Sequence, residues 1–102
     1  MIHVIATLDL QPGTRGAFLA EFAKVATEVR TESGCIEYVP AVDAETGFST
    51  QQKIGPDRLT VIEKWESVDA LKAHDSARHM QVFRARVKDY VRGREIRMLA
   101  PA

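Results

Sequence analysis

Three stretches of the chain alternate between apolar and polar positions with a period of two. The first covers residues 2–10, which are rich in Ile, Val, Leu and Thr, and it ends at a Gln11-Pro12-Gly13 turn. Successive side chains of a strand point to opposite faces, so this stretch predicts a strand with apolar residues on both faces. One face carries Ile2, Val4, Ala6, Leu8 and Leu10, and the other carries His3, Ile5, Thr7 and Asp9. The second and third predicted strands are residues 35–42 and 58–66.

Two longer stretches repeat their apolar residues at spacings of three and four, which is typical of a helix with one buried stripe. The first predicted helix runs from about Thr14 to Glu32. The second runs from Val68 to about Arg92, with a break near Asp75-Ser76. The stripes are Phe18, Phe22, Val25 and Val29 in the first helix and Met80, Phe83, Val87 and Val91 in the second. Gly93 ends the second helix, and residues 95–99 predict a short last strand.

The order strand, helix, strand, strand, helix, strand is the split βαβ pattern of ferredoxin-like folds. We therefore predict an α+β fold in a single domain of residues 1–102, with an antiparallel sheet and two helices on one of its faces. The connection at residues 43–57 is polar and longer than the usual hairpin loop of about two to five residues. Because two helices cover only one face of such a sheet, the apolar residues of the other face predict a partner surface, and we expect a homodimer.

Composition excludes some classes of function. The chain has 14 Lys and Arg against 14 Asp and Glu, so its formal net charge is zero. That balance argues against a nucleic-acid surface, because phosphate binding needs a basic excess. No apolar run approaches the roughly 20 residues that span a bilayer, so no membrane partner is expected. Cys35 is the only cysteine, so no intrachain disulfide can form, and with no signal peptide apparent we expect a cytoplasmic location.

Positive charge is concentrated in the last quarter of the chain. Two interpretations stay open: a solvated helix face, or a local field that attracts an anionic ligand. The cations are Arg78, Arg84, Arg86, Lys88, Arg92, Arg94 and Arg97.

The junction between the third strand and the second helix carries the most informative side chains. Glu63 and Trp65 are two residues apart, so they share one face of the strand. Ser67 is typical of a helix N-cap. His74 lies three residues after Leu71 and therefore shares the apolar face of the helix. The junction predicts a site in which an indole, a carboxylate and an imidazole lie near one wall.

Each candidate also has a structural interpretation. His74 is a candidate general base or acid, because imidazole titrates near neutral pH, or else a histidine hydrogen-bonded to backbone. Trp65 either stacks on a flat ligand or fills the core. Glu63 either orients a histidine or, as the favoured interpretation, pairs with an arginine of the second helix. His79 leans toward the apolar stripe, and Tyr38 donates a hydrogen bond into a pocket or at a dimer contact. A metal site is not expected, because the step of five residues from His74 to His79 does not align two ligands on one helix face.

Three motifs in a fixed order indicate a family. An opening strand with a Pro-Gly turn precedes Glu32-Ser33-Gly34-Cys35-Ile36-x-Tyr38. Then come Glu63-x-Trp65-Glu66-Ser67-x-x-Ala70-Leu71-x-x-His74 and Ala77-Arg78-His79-Met80. Over nearly the whole chain this set resembles the antibiotic biosynthesis monooxygenase domain family, which includes small quinol monooxygenases. The resemblance implies a dimeric α+β barrel, in which two four-stranded sheets pack face to face with the helices outside and each subunit holds a pocket between its sheet and its helices.

The resemblance also implies a chemistry. Some members oxygenate phenols, quinols or anthrones with no metal or flavin, so we expect a monooxygenase of a small aromatic substrate with no cofactor. Trp65 matches a pocket tryptophan of the anthrone oxygenases, whereas Val61 and Leu71 stand where those enzymes have an asparagine and a tyrosine. His74 lies close to the iron-binding histidine of haem-degrading relatives, whose first-strand asparagine corresponds to Thr7. The expected catalytic residues are His74, Trp65 and His79, and the expected substrate-binding residues are Tyr38, Glu63, Phe83, Thr7 and Phe22.

Two other classes of function stay open. The two histidines could act as an acid and base pair in a proton-transfer isomerase, with the arginine cluster holding the phosphate of a small phosphorylated carbonyl compound. Alternatively, the domain could bind haem or another flat molecule through His74 without catalysing a reaction.

Overall fold

Four strands and three helices make up the fold. The computed structural model describes all residues, 1–102. The elements are β1 (Ile2–Leu10), α1 (Arg15–Val29), β2 (Cys35–Ala41), β3 (Arg58–Trp65), α2 (Val68–Ser76), α3 (Arg78–Val87) and β4 (Val91–Leu99). This order confirms the ferredoxin-like α+β fold, with the second helical region divided into α2 and α3. None of the helices is long and apolar enough to cross a bilayer.

The sheet has the strand order β2-β3-β1-β4, and every neighbouring pair is antiparallel. The register pairs Val4 with Glu63 and Ile5 with Ile62. Paired residues share a face, so successive positions alternate between a helix-side face and an open face that no helix covers. The open face carries Ile5, Thr7, Val39, Thr60 and Ile62.

The core lies between the helices and the helix-side face of the sheet. The buried residues of α1 are Phe18, Phe22, Val25, Ala26 and Val29, which confirms its predicted stripe. Helix α3 contributes Met80, Phe83 and Val87. The ring of Phe83 meets the rings of Phe18 and Phe22 edge to face, at centroid distances of 5.6 and 6.1 Å. These contacts hold α1 and α3 together above the sheet.

Three predicted boundaries needed correction. Helix α1 ends at Val29 instead of Glu32, and the second helical region ends at Val87 instead of Arg92. The predicted start of the last strand at Glu95 is wrong, because Val91 already lies in β4, where it pairs with Leu10 beside a bulge. An apolar residue at that position fits both a helical and a strand period, so the pattern could not separate the two. The predicted helix break is confirmed and lies at Ala77, whose extended backbone ends α2 and begins α3.

Two turns bring the end of α1 against the start of α2. Gly34 has φ 83°, and a Cβ atom there would lie 2.6 Å from the Cβ atom of Ala70. Ser67 caps α2 by accepting a hydrogen bond from the backbone N–H of Ala70, as predicted. Because Gly34 packs directly on α2, Glu32 in the preceding turn lies beside His74.

The connection between β2 and β3 is long and has no regular secondary structure, as predicted. Asp43 closes its base, since the carboxylate accepts hydrogen bonds from the backbone N–H groups of Ile54 and Gly55 at 2.8 and 2.9 Å. Those bonds hold the pKa of Asp43 below its usual range. Phe48, in the middle of the connection, is 73% exposed, so this segment offers a large apolar side chain to the surroundings.

Candidate active site

Strand β3 places Glu63 and Trp65 on the helix-side face at one end of the sheet. The Nε1–H group of Trp65 donates a hydrogen bond of 2.9 Å to Oε1 of Glu63. Trp65 is fully buried, at 0% exposure. Burial raises the pKa of the Glu63 carboxyl, against the opposing effects of the Trp65 hydrogen bond and of His74. Glu63 therefore keeps its proton to a higher pH than an exposed glutamate does.

Helix α2 places His74 against Trp65, with ring centroids 4.6 Å apart. The histidine is only 5% exposed. Its Nδ1 atom lies 3.0 Å from Oε2 of Glu32, and its Nε2 atom lies 4.0 Å from Oε1 of Glu63. An ionised carboxylate only accepts hydrogen bonds, so the hydrogen of a neutral His74 resides on Nδ1. Nε2 then carries the lone pair and is available to accept a proton.

Glu32, in the turn after α1, joins the two histidines of the site. The same Oε2 atom that contacts His74 lies 2.8 Å from Nε2 of His79. On its outer side, Nδ1 of His79 lies 3.5 Å from Oε2 of Glu28. Sequence reasoning assigned no function to Glu32, which stood as the last residue of a predicted helix and the first residue of a family motif. The signal in the sequence that could have identified Glu32 was Gly34, two residues later. The left-handed turn at Gly34 directs the Glu32 side chain toward α2.

A cavity of about 240 Å³ lies between the sheet and the helices next to His74. Most of its lining is apolar. The polar side chains of Tyr38, Glu63 and His74 line it too, as do the cations Arg84, Lys88 and Arg94. An apolar protein cavity of roughly 150 Å³ binds benzene. The cavity therefore has room for an aromatic molecule of one or two rings.

Tyr38, on β2, lies beside His74 in this cavity. Its ring stacks on Phe22 with centroids 5.1 Å apart and meets the His74 ring edge-on at 5.3 Å. Burial raises the pKa of the Tyr38 phenol, and the nearby charges of Glu63 and Glu32 raise it further. The Tyr38 hydroxyl makes no hydrogen bond within the chain. Since every fully buried side-chain oxygen has a hydrogen-bond partner, this hydroxyl is not fully buried, and it faces the open space of the cavity that Tyr38 lines. It is a protonated donor available to a ligand.

Five of the expected site residues line this one cavity: Phe22, Tyr38, Glu63, His74 and Phe83. Three others do not. Trp65 contacts Glu63 and His74, and these two side chains lie between it and the cavity. His79 lines a separate groove between α1 and α3. Thr7 lies on the open face of the sheet, with its Oγ1 atom 3.0 Å from that of Thr60, because the odd-numbered positions of β1 point away from the helices.

The arginine partner that the sequence favoured for Glu63 is not present. Arg84 binds Asp75 instead, through the carboxylate at 2.7 Å and the backbone carbonyl at 2.8 Å. Burial and the charges of Glu32 and Glu63 raise the pKa of the Cys35 thiol, which disfavours a nucleophilic thiolate there. No group of three or more His, Cys, Asp or Glu side chains is arranged to hold a metal ion.

Known proteins match the chain in sequence and in structure. The family model described as antibiotic biosynthesis monooxygenase matches residues 1–86. The probable quinol monooxygenase YgiN of Escherichia coli strain K12 is 41% identical over 103 residues, covering 99% of this chain and 98% of the relative. Rv0793 of Mycobacterium tuberculosis superposes with a TM-score of 0.79 at 27% identity, covering 99% of this chain and 94% of the other. A conserved protein of Methanosarcina mazei Go1 shares the fold, with a TM-score of 0.83 at 22% identity over 99% of this chain and 92% of its own. The family model and the full-length relative together show that this chain belongs to the antibiotic biosynthesis monooxygenase family.

Proposed function

We propose that this protein is a monooxygenase that oxidises a small quinol or phenol with molecular oxygen, without a cofactor, and that His74 is its base. Membership of the family supports the monooxygenase chemistry, and the name of the YgiN relative supports a quinol. The observation that carries the proposal is the geometry of His74. Its Nδ1 atom is held by Glu32 at 3.0 Å, and its other ring nitrogen is left to accept a proton beside a mostly apolar cavity.

The proposed reaction begins when Nε2 of His74 removes a phenolic proton from the bound quinol. The resulting quinolate is electron-rich and reduces molecular oxygen, and a carbon–oxygen bond forms at the ring. Loss of water then leaves a hydroxyquinone, so one oxygen atom enters the ring and the other leaves as water. The quinol supplies every electron, and the proton held on His74 returns to the departing oxygen. The overall balance is one quinol and one O₂ consumed, and one hydroxyquinone and one water formed.

The remaining cavity side chains would orient the substrate and exclude water. Phe22 and Phe83 offer aromatic faces and edges to a flat ring. The Tyr38 hydroxyl can donate a hydrogen bond to a substrate oxygen as negative charge develops on it. The raised pKa of the Glu63 carboxyl makes a second negative charge in the cavity less favourable. In a cavity with apolar walls the Tyr38 donor acts at low dielectric, where it stabilises an anion more than it would in water.

Oxygen consumption tests this function. With reduced naphthoquinones and substituted hydroquinones as substrates, the purified protein should consume oxygen faster than the uncatalysed reaction does. His74→Ala should lower kcat by at least about 100-fold, the usual range for general-base loss. Lys72→Ala, a change on the exposed side of the same helix, serves as the matched control and should keep the wild-type rate. A wild-type rate no higher than the uncatalysed rate across the panel would refute the oxygenase.

A second candidate function is proton-transfer isomerisation. The observation that favours it is the approach of His74 to Glu63 at 4.0 Å, which pairs a free base with a carboxyl whose pKa is raised by burial. Lys88 and Arg94 line the same cavity and would attract an anionic substrate. A thermal-shift screen separates the two candidates. Stabilisation by sugar phosphates and not by quinols favours the isomerase, and the reverse result excludes it.

We also propose that the protein is a homodimer built through the open face of its sheet. Ile5 and Ile62 lie side by side on that face. Leaving apolar surface in water costs roughly 25 cal/mol per Å², and packing two sheets face to face removes that cost. Contact of the exposed Phe48 with a second subunit would likewise remove apolar surface from water. Light scattering after size exclusion at low micromolar concentration should give twice the 11.4 kDa chain mass, and a monomer mass would refute the dimer.

A further inference from the structure

Glu32 does not line the cavity, yet it makes the shortest contacts to both histidines of the site. We propose that Glu32 is the positioning residue of the base, and that it acts through one carboxylate oxygen shared between His74 and His79. This proposal rests on the proposed function, because positioning matters only if His74 is the base. It adds a residue that acts on the reaction without touching the substrate.

The positioning role follows from the two tautomers of a neutral imidazole. Only the form with its hydrogen on Nδ1 leaves Nε2 free to take a proton from a substrate. The Glu32 carboxylate, 3.0 Å from Nδ1, accepts a hydrogen bond from that form and repels the lone pair of the other. The carboxylate also stabilises the imidazolium that forms during the reaction. Glu32 is 14% exposed, so bulk water screens this interaction weakly.

The sharing follows from the position of the oxygen. Oε2 of Glu32 lies 3.0 Å from His74 and 2.8 Å from His79, so a single acceptor atom serves two donors. The two imidazoles therefore compete for one acceptor atom, and each weakens the hydrogen bond that the other donates to it.

His79 exposes this pair to the solvent. It lines an open groove of about 430 Å³ between α1 and α3 and is 23% exposed at its side chain. The inner histidine is almost fully enclosed. The other charged and titratable groups that line the groove or the cavity are Glu21, Lys24 and Glu28 of α1, Tyr38 of β2, Glu63 of β3, Asp75 of α2, Arg78, Arg84 and Arg86 of α3, Lys88 after α3, and Arg94 of β4. Cys35 of β2 lies close enough for the charge of Glu32 to raise the pKa of its thiol.

Nitrogen-15 NMR of labelled histidine tests the positioning without any substrate. In the wild-type protein His74 should carry its hydrogen on Nδ1. In Glu32→Gln the side-chain amide can donate to Nδ1, so the hydrogen should move to Nε2, whereas Glu32→Asp should keep the wild-type tautomer. The matched control is Glu28→Gln, which removes a carboxylate that contacts His79 and not His74; its His74 tautomer should be unchanged. An unchanged tautomer in a folded Glu32→Gln variant would overturn the proposal.

Kinetics with the quinol test the consequence for the reaction. Glu32→Gln should lower kcat by about 100-fold, as loss of a partner that orients a catalytic imidazole does, with KM within about twofold. In His79→Phe, a ring of similar size without a donor removes the second partner of Glu32, so the hydrogen bond from Nδ1–H of His74 to Glu32 should strengthen. The proton resonance of that Nδ1–H group should then move downfield, and an unchanged resonance would overturn the sharing.

The two proposals fail separately. A wild-type protein that does not oxidise quinols, but whose His74 tautomer switches in Glu32→Gln, would refute the oxygenase and leave the positioning intact. An active wild-type protein with no tautomer switch would refute the positioning alone.

Discussion

Trp65 donates its indole hydrogen to Oε1 of Glu63 across 2.9 Å. The two residues are nearest neighbours on one face of β3. The only tryptophan of the chain thus donates a hydrogen bond to a buried carboxyl and does not face the cavity. The hydrogen bond supplies a partner for Glu63, while burial raises the pKa of the carboxyl.

The raised pKa of Glu63 makes stability depend on pH. A carboxyl whose pKa is higher in the folded than in the unfolded state contributes stability that is fully present below the unfolded value, about 4.3 for glutamate. That stability is lost as pH rises through the folded value. Glu63→Gln cannot titrate, so the free energy of unfolding of the wild-type protein minus that of the variant should decrease as pH rises from about 4 toward neutrality. Urea unfolding at a series of pH values measures it.

The control for this pH series is Gln52→Ala, a change at an exposed side chain that does not titrate, and its difference from the wild-type protein should stay flat. A flat difference for Glu63→Gln would contradict burial as the cause of the raised pKa.

Tyr38→Phe should separate ligand binding from stability. The Tyr38 hydroxyl has no hydrogen bond within the chain, so its removal should change the free energy of unfolding by less than about 0.5 kcal/mol. A hydrogen bond to the substrate is worth about 1 kcal/mol, so kcat/KM for a quinol should fall about fivefold. Tyr90→Phe, outside the cavity, is the matched control and should keep the wild-type value. A wild-type kcat/KM in Tyr38→Phe would remove this residue from the substrate site.

Two glycines with similar backbone angles should respond differently to substitution. Gly34 and Gly13 have φ 83° and 78°, so alanine at either position carries about 1 kcal/mol of left-handed backbone strain. At Gly34 the new Cβ atom would also lie 2.6 Å from that of Ala70, whereas at Gly13 nothing lies within 4 Å. Gly34→Ala should therefore lower the free energy of unfolding by at least about 1 kcal/mol more than Gly13→Ala does.

Thermal or urea unfolding of the two glycine variants gives this comparison directly. Gly34→Ala should also lower kcat, because the turn that carries Glu32 must shift. Equal losses of stability in the two variants would show that Ala70 of α2 moves away from the new Cβ atom at little energetic cost.

Ile62→Lys should separate the proposed dimer. The substitution places a charge in the centre of the open face, and burying an unpaired charge between two sheets is strongly unfavourable. The variant should elute with the mass of a single chain by light scattering and keep its far-ultraviolet circular dichroism. The matched control is Val82→Lys, the same kind of change at an exposed apolar residue of α3, which should leave the mass unchanged. A dimeric Ile62→Lys variant would place the interface elsewhere.

Local pattern was sufficient for most of the fold. The period-two stretches predicted β1, β2 and β3 within a residue or two, and the three-and-four spacing predicted the buried stripe of α1. The pattern predicted the wrong element for Val91, because an apolar residue at that position fits both the helical and the strand period. Pairing with Leu10 placed it in a strand, because an available hydrogen-bonding edge outweighs the preference of a few residues for a helix.

The sequence by itself determined which side chains share one face of one element, and so it placed Glu63 with Trp65 and His74 with Leu71. Only the tertiary structure decided which faces meet. Forty-two residues separate Glu32 from His74, and no local period relates two positions so far apart. The left-handed turn at Gly34 and the packing of that turn on Ala70 brought them into contact. Thr7 was expected at the site because it matches a family position, but it lies on the face of the sheet that the helices do not cover. Which face of β1 meets the helices is likewise decided by tertiary packing.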